Sequence, residues 1–462
     1  MNSITQFDSA MQIIAEKQTS SAVAGPLRLA VAYSGGLDSA VLLHLACAYA
    51  KQSGSIVMAF HVHHGLSPHA DAWVMHCQAQ CAALDVPFEV QYIDLGSTSE
   101  VGVEATARNK RYAALGRLCT SHHIDVLLTA HHQDDQAETI LLQLLRGSGV
   151  AGLCGMQQCH PAAQLLGSDS VLLARPLLDV TRAEIEGYAT QNEIAHIEDE
   201  SNLDARYLRN ALRLKIMPLL ADYFPGYQSR FARSAQHAQH NLELIEQLAH
   251  QDYVDCLVAP GSAILNAERL QLLPDARLDN VLRYWIAAHH RKMPSTARLA
   301  QMRKQLLTAR DDARVCVKHG DMEVHRYRQQ LSISGCAATP PPAQKFTWQG
   351  EAVIAFPAFS GTLQIDPVES GEAGIRRDWL LAHPLEIRLR QGGERMKLAA
   401  NRPNRDMKSH YQTFGIPYWQ RERLPFIFSG NELVYAAGIG ISGVLLESAD
   451  QCVTLRWVAN TE

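Results

Sequence analysis

Six consecutive residues, Ser34-Gly35-Gly36-Leu37-Asp38-Ser39, bring together two hydroxyls, two glycines and a carboxylate. Adjacent glycines let a backbone turn tightly and approach a ligand with no Cβ in the way. Ser34 and Ser39 add hydroxyl donors. Free N–H groups at a helix start, helped by the helix dipole, favour an anion. The chemistry is that of a phosphate or pyrophosphate cradle. The stretch is neither a G-x-x-x-x-G-K-[ST] loop nor a G-x-G-x-x-G turn. A second cluster runs from His131 to Thr139, HHQDDQAET. Asp134 and Glu138 are four apart and share one helix face. Acids in a first helical turn complement the dipole. Facing a phosphate loop, they also suit a cation or the steering of a base.

Strands and helices must position these groups. Leu27 to Ala32 is a short apolar run suited to a strand covered on both faces, and Ala40 to Leu45 resumes as helix. Ser55–His63 reads as a second strand, Asp71–Leu84 as a helix and Val86–Leu95 as a third strand. Ile124–Thr129 is a fourth strand that delivers His131 and the acids at its C-terminal end, where open α/β sheets bind ligands. Val171–Leu178 is a further strand, and Thr181-Arg182-Ala183-Glu184 is a capping box. Residues 1–24 read as a polar, partly helical lead-in. The pattern from Tyr227 to Arg310 is helical throughout. A proline-rich linker over 336–345 leads to short strand-like runs.

With 462 residues, the chain has room for about three domains of roughly 150 residues. The net charge of −5 excludes a polycation, so any nucleic-acid surface must be local. One such surface is 376–408, with nine basic and four acidic residues, followed by Tyr411, Phe414, Tyr418 and Trp419. Cations beside aromatics suit an RNA backbone and unstacked bases. Smaller basic groups are Arg108, Lys110 and Arg111, and Arg206, Arg209, Arg213 and Lys215. Guanidinium groups match phosphate oxygens in pairs. The ten cysteines form no C-x-x-C and read as reduced thiols. No signal-peptide pattern and no apolar run of membrane length are present, and a cytoplasmic location is expected.

SGGLDS resembles the SGGxDS loop of the PP-loop ATP pyrophosphatases, which split ATP to AMP and pyrophosphate. In the same order and spacing follow HVHHGL (61–66), EATARNKRY (104–112) and HHQDDQAET (131–139). With SNLDARYLRN (201–210) and the C-terminal RLRQGGERMKL and GIPYWQRERLPF, they resemble the tRNA(Ile)-lysidine synthetase family. His63 stands where that family more usually has Asn.

The resemblance implies an α/β chain in three parts. These are a parallel-sheet PP-loop catalytic domain (1–222), an all-α tRNA-binding middle domain (223–335) and a small α/β tRNA-binding C-terminal domain (346–462). It implies ATP and Mg²⁺, L-lysine, and a tRNA-Ile with a CAU anticodon, and it admits a homodimer. Ser34, Gly35, Gly36, Leu37, Asp38 and Ser39 would hold ATP, with Mg²⁺ on Asp38 and Glu138. Asp134, Asp135 or Glu138 would bind the lysine ammonium and accept its proton. Arg108 or Arg111, and Arg209, would contact phosphate or the flipped base, and His131 the RNA or the adenylate. The rival readings are a PP-loop tRNA thiolase, which would need reactive cysteines, and a tRNA-binding module with a vestigial ATP fold.

Overall fold

The structure is a computed structural model describing residues 3–19, 25–65, 67–94, 103–198, 204, 206, 208–310, 315–336, 339–369, 372–449 and 451–460. Half of SNLDARYLRN, namely Ser201, Asn202, Leu203, Ala205 and Tyr207, lies outside the described residues. The chain divides into two compact units, 1–248 and 249–462.

The first unit runs α1 (Ser3–Thr19), β1 (Arg28–Ala32), α2 (Leu37–Ser53), β2 (Ile56–His63), α3 (Ala70–Ala83), β3 (Phe88–Tyr92), α4 (Val103–Ser121), β4 (Val126–Leu128), α5 (Gln133–Leu145), β5 (Cys159–Pro161) and β6 (Leu172–Ala174). The sheet order is β3-β2-β1-β4-β6-β5. All neighbours pair in parallel except β5 and β6. The strands are apolar because helices cover both faces. Leu29, Val31, Val126 and Leu128 point to one side with α1 and α2. Ala30, Leu127 and Leu173 point to the other, under Tyr112 and Leu115 of α4.

Chain direction across the sheet reverses between β1 and β4. Strands β2 and β3 add on one side of β1, and β4 and β6 on the other. That is a topological switch point, where the loops after adjacent strands part and leave a crevice. The Ser34–Ser39 loop follows β1 and the His131–Asp135 segment follows β4, so both flank it.

One sequence expectation changes here, and one strand is added. The N-terminal lead-in is a core helix, because Phe7, Met11 and Ile14 recur at helical spacing and are fully buried. The antiparallel edge strand Cys159–Pro161 has no alternating pattern in the sequence. It is three residues long, with only Cys159 buried.

In the second unit, the helices Asp275–Ala288 and Thr296–Leu307 bury Leu278, Leu282, Trp285, Leu299 and Met302. The helical reading of the middle segment holds for these. The same core also includes a four-stranded antiparallel sheet, β7 (Leu265–Asn266), β8 (Val315–His319), β9 (Met322–Tyr327) and β10 (Gln330–Gly335), in the order β7-β10-β9-β8. Charged residues run through β8 and β9, which masks the alternation. Glu323, His325 and Arg326 are buried there with polar partners. Beyond 340 the chain forms a five-stranded and a four-stranded sheet with short helices between strands.

Candidate active site

The loop after β1 is tied down by hydrogen bonds of its own. Ser34 N–H donates to Ser39 Oγ at 3.2 Å, and Ser39 Oγ donates to the Gly36 carbonyl at 2.9 Å. Ile197 N–H donates to the Gly35 carbonyl at 2.9 Å, pinning the turn from outside. Only Gly35 adopts a left-handed φ, +86°, and a Cβ there would lie 2.8 Å from Cys77 Sγ and 2.9 Å from Ile197 Cδ1. Gly36 has φ −71° and precedes α2, so its missing Cβ opens space rather than relieving strain. Gly35→Ala should therefore cost about 1–2 kcal/mol of stability and weaken ATP binding. Chemical denaturation and equilibrium dialysis of ATP would read the two effects.

The second cluster is more tightly paired than its sequence suggests. Glu138 is fully buried, and its carboxylate accepts from Arg209 Nε at 2.9 Å and Arg213 Nε at 2.7 Å. Arg213 also reaches Asp135 Oδ1 at 3.0 Å, while Asp135 Oδ2 accepts the His132 N–H at 3.1 Å. Asp134 accepts the Arg182 backbone N–H at 3.0 Å and Gln228 Nε2 at 3.1 Å. Asp38 takes Arg182 Nη1 on Oδ1 at 2.5 Å, and its Oδ2 faces His132 Nε2 at 3.8 Å. Burial alone would raise the Asp135 carboxyl, but His132, His131, Arg209 and Arg213 outweigh it and hold it below the ordinary carboxylate range.

The expected pairing of Glu138 with Mg²⁺ does not match this geometry. Both Glu138 oxygens are taken by guanidinium groups, so its part is to hold Arg209 and Arg213. Among the four acids, Asp38 Oδ2 alone has no N–H donor within hydrogen-bond distance among the described residues. One free carboxylate oxygen in the anion loop fits Mg²⁺, which commonly uses one or two carboxylates together with substrate phosphates and water.

Three residues at this site, His132, Arg182 and Arg213, carry no individual signal in the sequence. His132 is 3% exposed and sits among Asp38, Asp134 and Asp135 at 3.4–3.8 Å. Arg182 belongs to the capping box, yet its side chain bridges Asp38 and Glu186. Arg213 was one of four basic residues in a run. A π-helical turn at Leu212–Ile216, invisible to periodicity, sets it and Arg209 on one carboxylate.

His131 follows β4, with Nδ1 3.0 Å from Thr129 Oγ1. Burial, reinforced by Arg175, Arg108 and Arg209, lowers it from about 6.5 to about 3 against the pull of Asp135. The native state thus prefers the neutral ring. The stability this confers is complete above pH 6.5 and is lost as pH falls toward 3. A His131→Asn variant should show a shallower fall in melting temperature across that window than the parent. Arg108 lies on α4 with its guanidinium 4.9 Å above the Tyr112 ring, and Arg111 stands 5.7 Å from the same ring.

An internally hydrogen-bonded anion loop and an acid–arginine cluster at the switch point of a parallel sheet define a PP-loop nucleotide-binding domain. A family model described as a PP-loop domain matches residues 6–220. Models of the TilS substrate-binding domain and the TilS C-terminal domain match 265–332 and 385–457. The tRNA(Ile)-lysidine synthase of Burkholderia pseudomallei is 38% identical over 91% of both chains. That of Ralstonia nicotianae is 41% identical over 89% of this chain and 88% of its own. That of Salmonella heidelberg is 38% identical over 94% and 97%. The chain belongs to the tRNA(Ile)-lysidine synthase family. A solved U34-tRNA thiolase from Methanococcus maripaludis is 17% identical over 50% of this chain and 81% of its own, with a TM-score of 0.39.

Proposed function

We infer that this chain is an ATP-dependent ligase joining L-lysine to the wobble cytidine of a tRNA-Ile with a CAU anticodon. The observation that carries this is the pairing of the anion loop with the Asp38–His132–Asp134 group at one crevice. The cytosine carbonyl oxygen attacks the α-phosphorus of ATP and pyrophosphate leaves. The lysine ε-amine then attacks the activated ring carbon, AMP departs with the oxygen, and the amine gives up a proton. The product pairs with A rather than G.

Each step needs something this chain can provide. The Ser34–Ser39 loop, with its hydroxyls and N–H groups, receives the phosphates. Mg²⁺ on Asp38 would neutralise phosphate charge. Asp134, about a quarter exposed, keeps lone pairs beyond the two N–H groups it accepts and suits the lysine ammonium. Asp134 and Asp135 with His132 between them offer a path for the amine proton. Arg209 and Arg213, aligned by Glu138, face substrate with fixed charge.

The thiolase reading loses its chemistry here. All six cysteines of the first unit are buried. Burial pushes Cys77, Cys81 and Cys119 up to about 12, so none offers a thiolate. Incubating unmodified tRNA-Ile(CAU) with ATP, Mg²⁺ and lysine, then digesting it to nucleosides for mass spectrometry, tests the assignment. Lysidine should replace one cytidine. Unaltered cytidine would refute it.

We keep the division at 1–222, 223–335 and 346–462 as a proposal about functional segments. We propose that the third grips the tRNA body. Within it the aromatics named from sequence separate. Tyr411 and Trp419 are core, the latter stacked on His325 at 4.4 Å, while Phe414 is half exposed. Arg390 sits near Glu394, whereas Arg402, Arg405 and Lys408 are exposed and have no carboxylate partner among the described residues. Replacing these three with Ala should weaken tRNA binding and lower its log–log salt slope by about 2–3. Filter binding at several salt concentrations would read this. A cytoplasmic location and a homodimer are proposed with the family resemblance as their support.

A further inference from the structure

Arg175 immediately follows β6 and is 4% exposed. Leu173 packs on the α4 side of the sheet and Ala174 on the other, so the two-residue strand period returns Arg175 to the α4 side. Its Nη1 donates to the Gln157 carbonyl at 2.7 Å. Its Nε is buried with no partner. Among the described residues no carboxylate pairs with it, nor with Arg108 or Arg111 on the helix above. Elsewhere in this unit the buried charge is matched, as Glu138 is by two arginines. A buried guanidinium without a counter-charge is tolerated where an anion supplies one.

The position says which anion. β6 lies beside β4, which lies beside β1, so Arg175 stands at the same C-terminal sheet edge as the Ser34–Ser39 loop. Two strand spacings, about 10 Å, separate the two. One phosphate on the loop does not also satisfy Arg175. The field agrees: beyond the larger effect of burial, Arg175 and Arg108 both lower His131 against the pull of Asp135, and Arg108 adds to the lowering that burial imposes on Arg175.

We propose that Arg175, together with Arg108, forms a second phosphate-binding subsite at the end of β6, separate from the loop after β1. A guanidinium with a free Nε and Nη edge suits two phosphate oxygens at once. Two sources carry that chemistry: the α-phosphate of the nucleotide, or a backbone phosphate of the tRNA beside the reacting cytidine. This rests on the reading of the crevice as an ATP-dependent tRNA-modifying site. The test reads binding without turnover, so absence of lysine transfer would leave it decidable.

The full-length Arg175→Gln and Arg175→Lys variants would be compared with the parent. Equilibrium dialysis measures α,β-methylene-ATP binding without tRNA. Filter binding measures tRNA-Ile(CAU) without nucleotide. Weakening of the nucleotide by tenfold or more, with tRNA unchanged, assigns the α-phosphate. Weakened tRNA binding with a salt slope lower by about 1 assigns a backbone phosphate. Arg175→Lys keeps the charge and loses the fork, so it should fall between parent and Gln. Folded variants that bind both ligands within twofold of the parent would overturn the subsite and leave Arg175 as a tie to the Gln157 carbonyl. Hydrogen exchange on the parent guards against variants that do not fold. Amides of 157–178 should gain protection with one of the two ligands, and protection with neither would equally overturn it.

Discussion

Asp38→Asn is expected to lower lysidine formation by about 10²–10³-fold while tRNA affinity stays at the parental value. Asp38 offers the one carboxylate oxygen of the acid cluster that no N–H donor occupies among the described residues. It stands in the first turn of α2, where the anion loop runs into the helix. The amide keeps the shape but loses the charge that would meet Mg²⁺. Its ion pair with Arg182 is partly exposed, so the loss of stability should be only about 1 kcal/mol. A steady-state assay with a parallel melting curve separates the two effects. A large drop in melting temperature with proportionate loss of activity would show that Asp38 acts through the fold instead.

Glu138→Gln has the opposite profile. It removes the charge facing two guanidinium groups in a fully buried position. Breaking such a network costs about 3 kcal/mol, and melting should fall by about 10 °C for a unit of this size. The fall should be the same with and without Mg²⁺, because the carboxylate serves Arg209 and Arg213. A variant with parental stability whose activity returns at high Mg²⁺ would restore Glu138 as a cation ligand. Activity should fall as well, since Arg209 and Arg213 lose the partner that orients them.

The contrast between these two acids marks how far residue types can be read. The loop, the strand before it and the helix after it were legible because apolar runs and a glycine turn are local signals. The same holds for β2, β4 and the Thr181 capping box, whose hydroxyl accepts the Glu184 N–H at 3.2 Å. Asp134, Asp135 and Glu138 were legible as a group. Their separate duties were not, because these depend on Arg182, Arg209, Arg213 and Gln228, which arrive from helices 48 to 94 residues away. His132 and His131 are neighbours in sequence, yet one is buried among carboxylates and the other sits among arginines. Arg175 gave no signal at all, since a single arginine after an apolar strand is unremarkable until its burial is known. In the second unit, a sheet that buries Glu323, His325 and Arg326 on its two faces defeats the alternation rule. Tyr411 and Trp419 likewise read as surface aromatics until packing places them inside.

The most direct test of the account is transfer of labelled lysine to unmodified tRNA-Ile(CAU) in the presence of ATP and Mg²⁺. The account predicts one lysine per tRNA, one AMP and one pyrophosphate formed with it, and no label when the wobble cytidine is replaced by uridine. AMP formation without lysine in the tRNA would contradict it, leaving the PP-loop chemistry in place and removing lysine as the nucleophile.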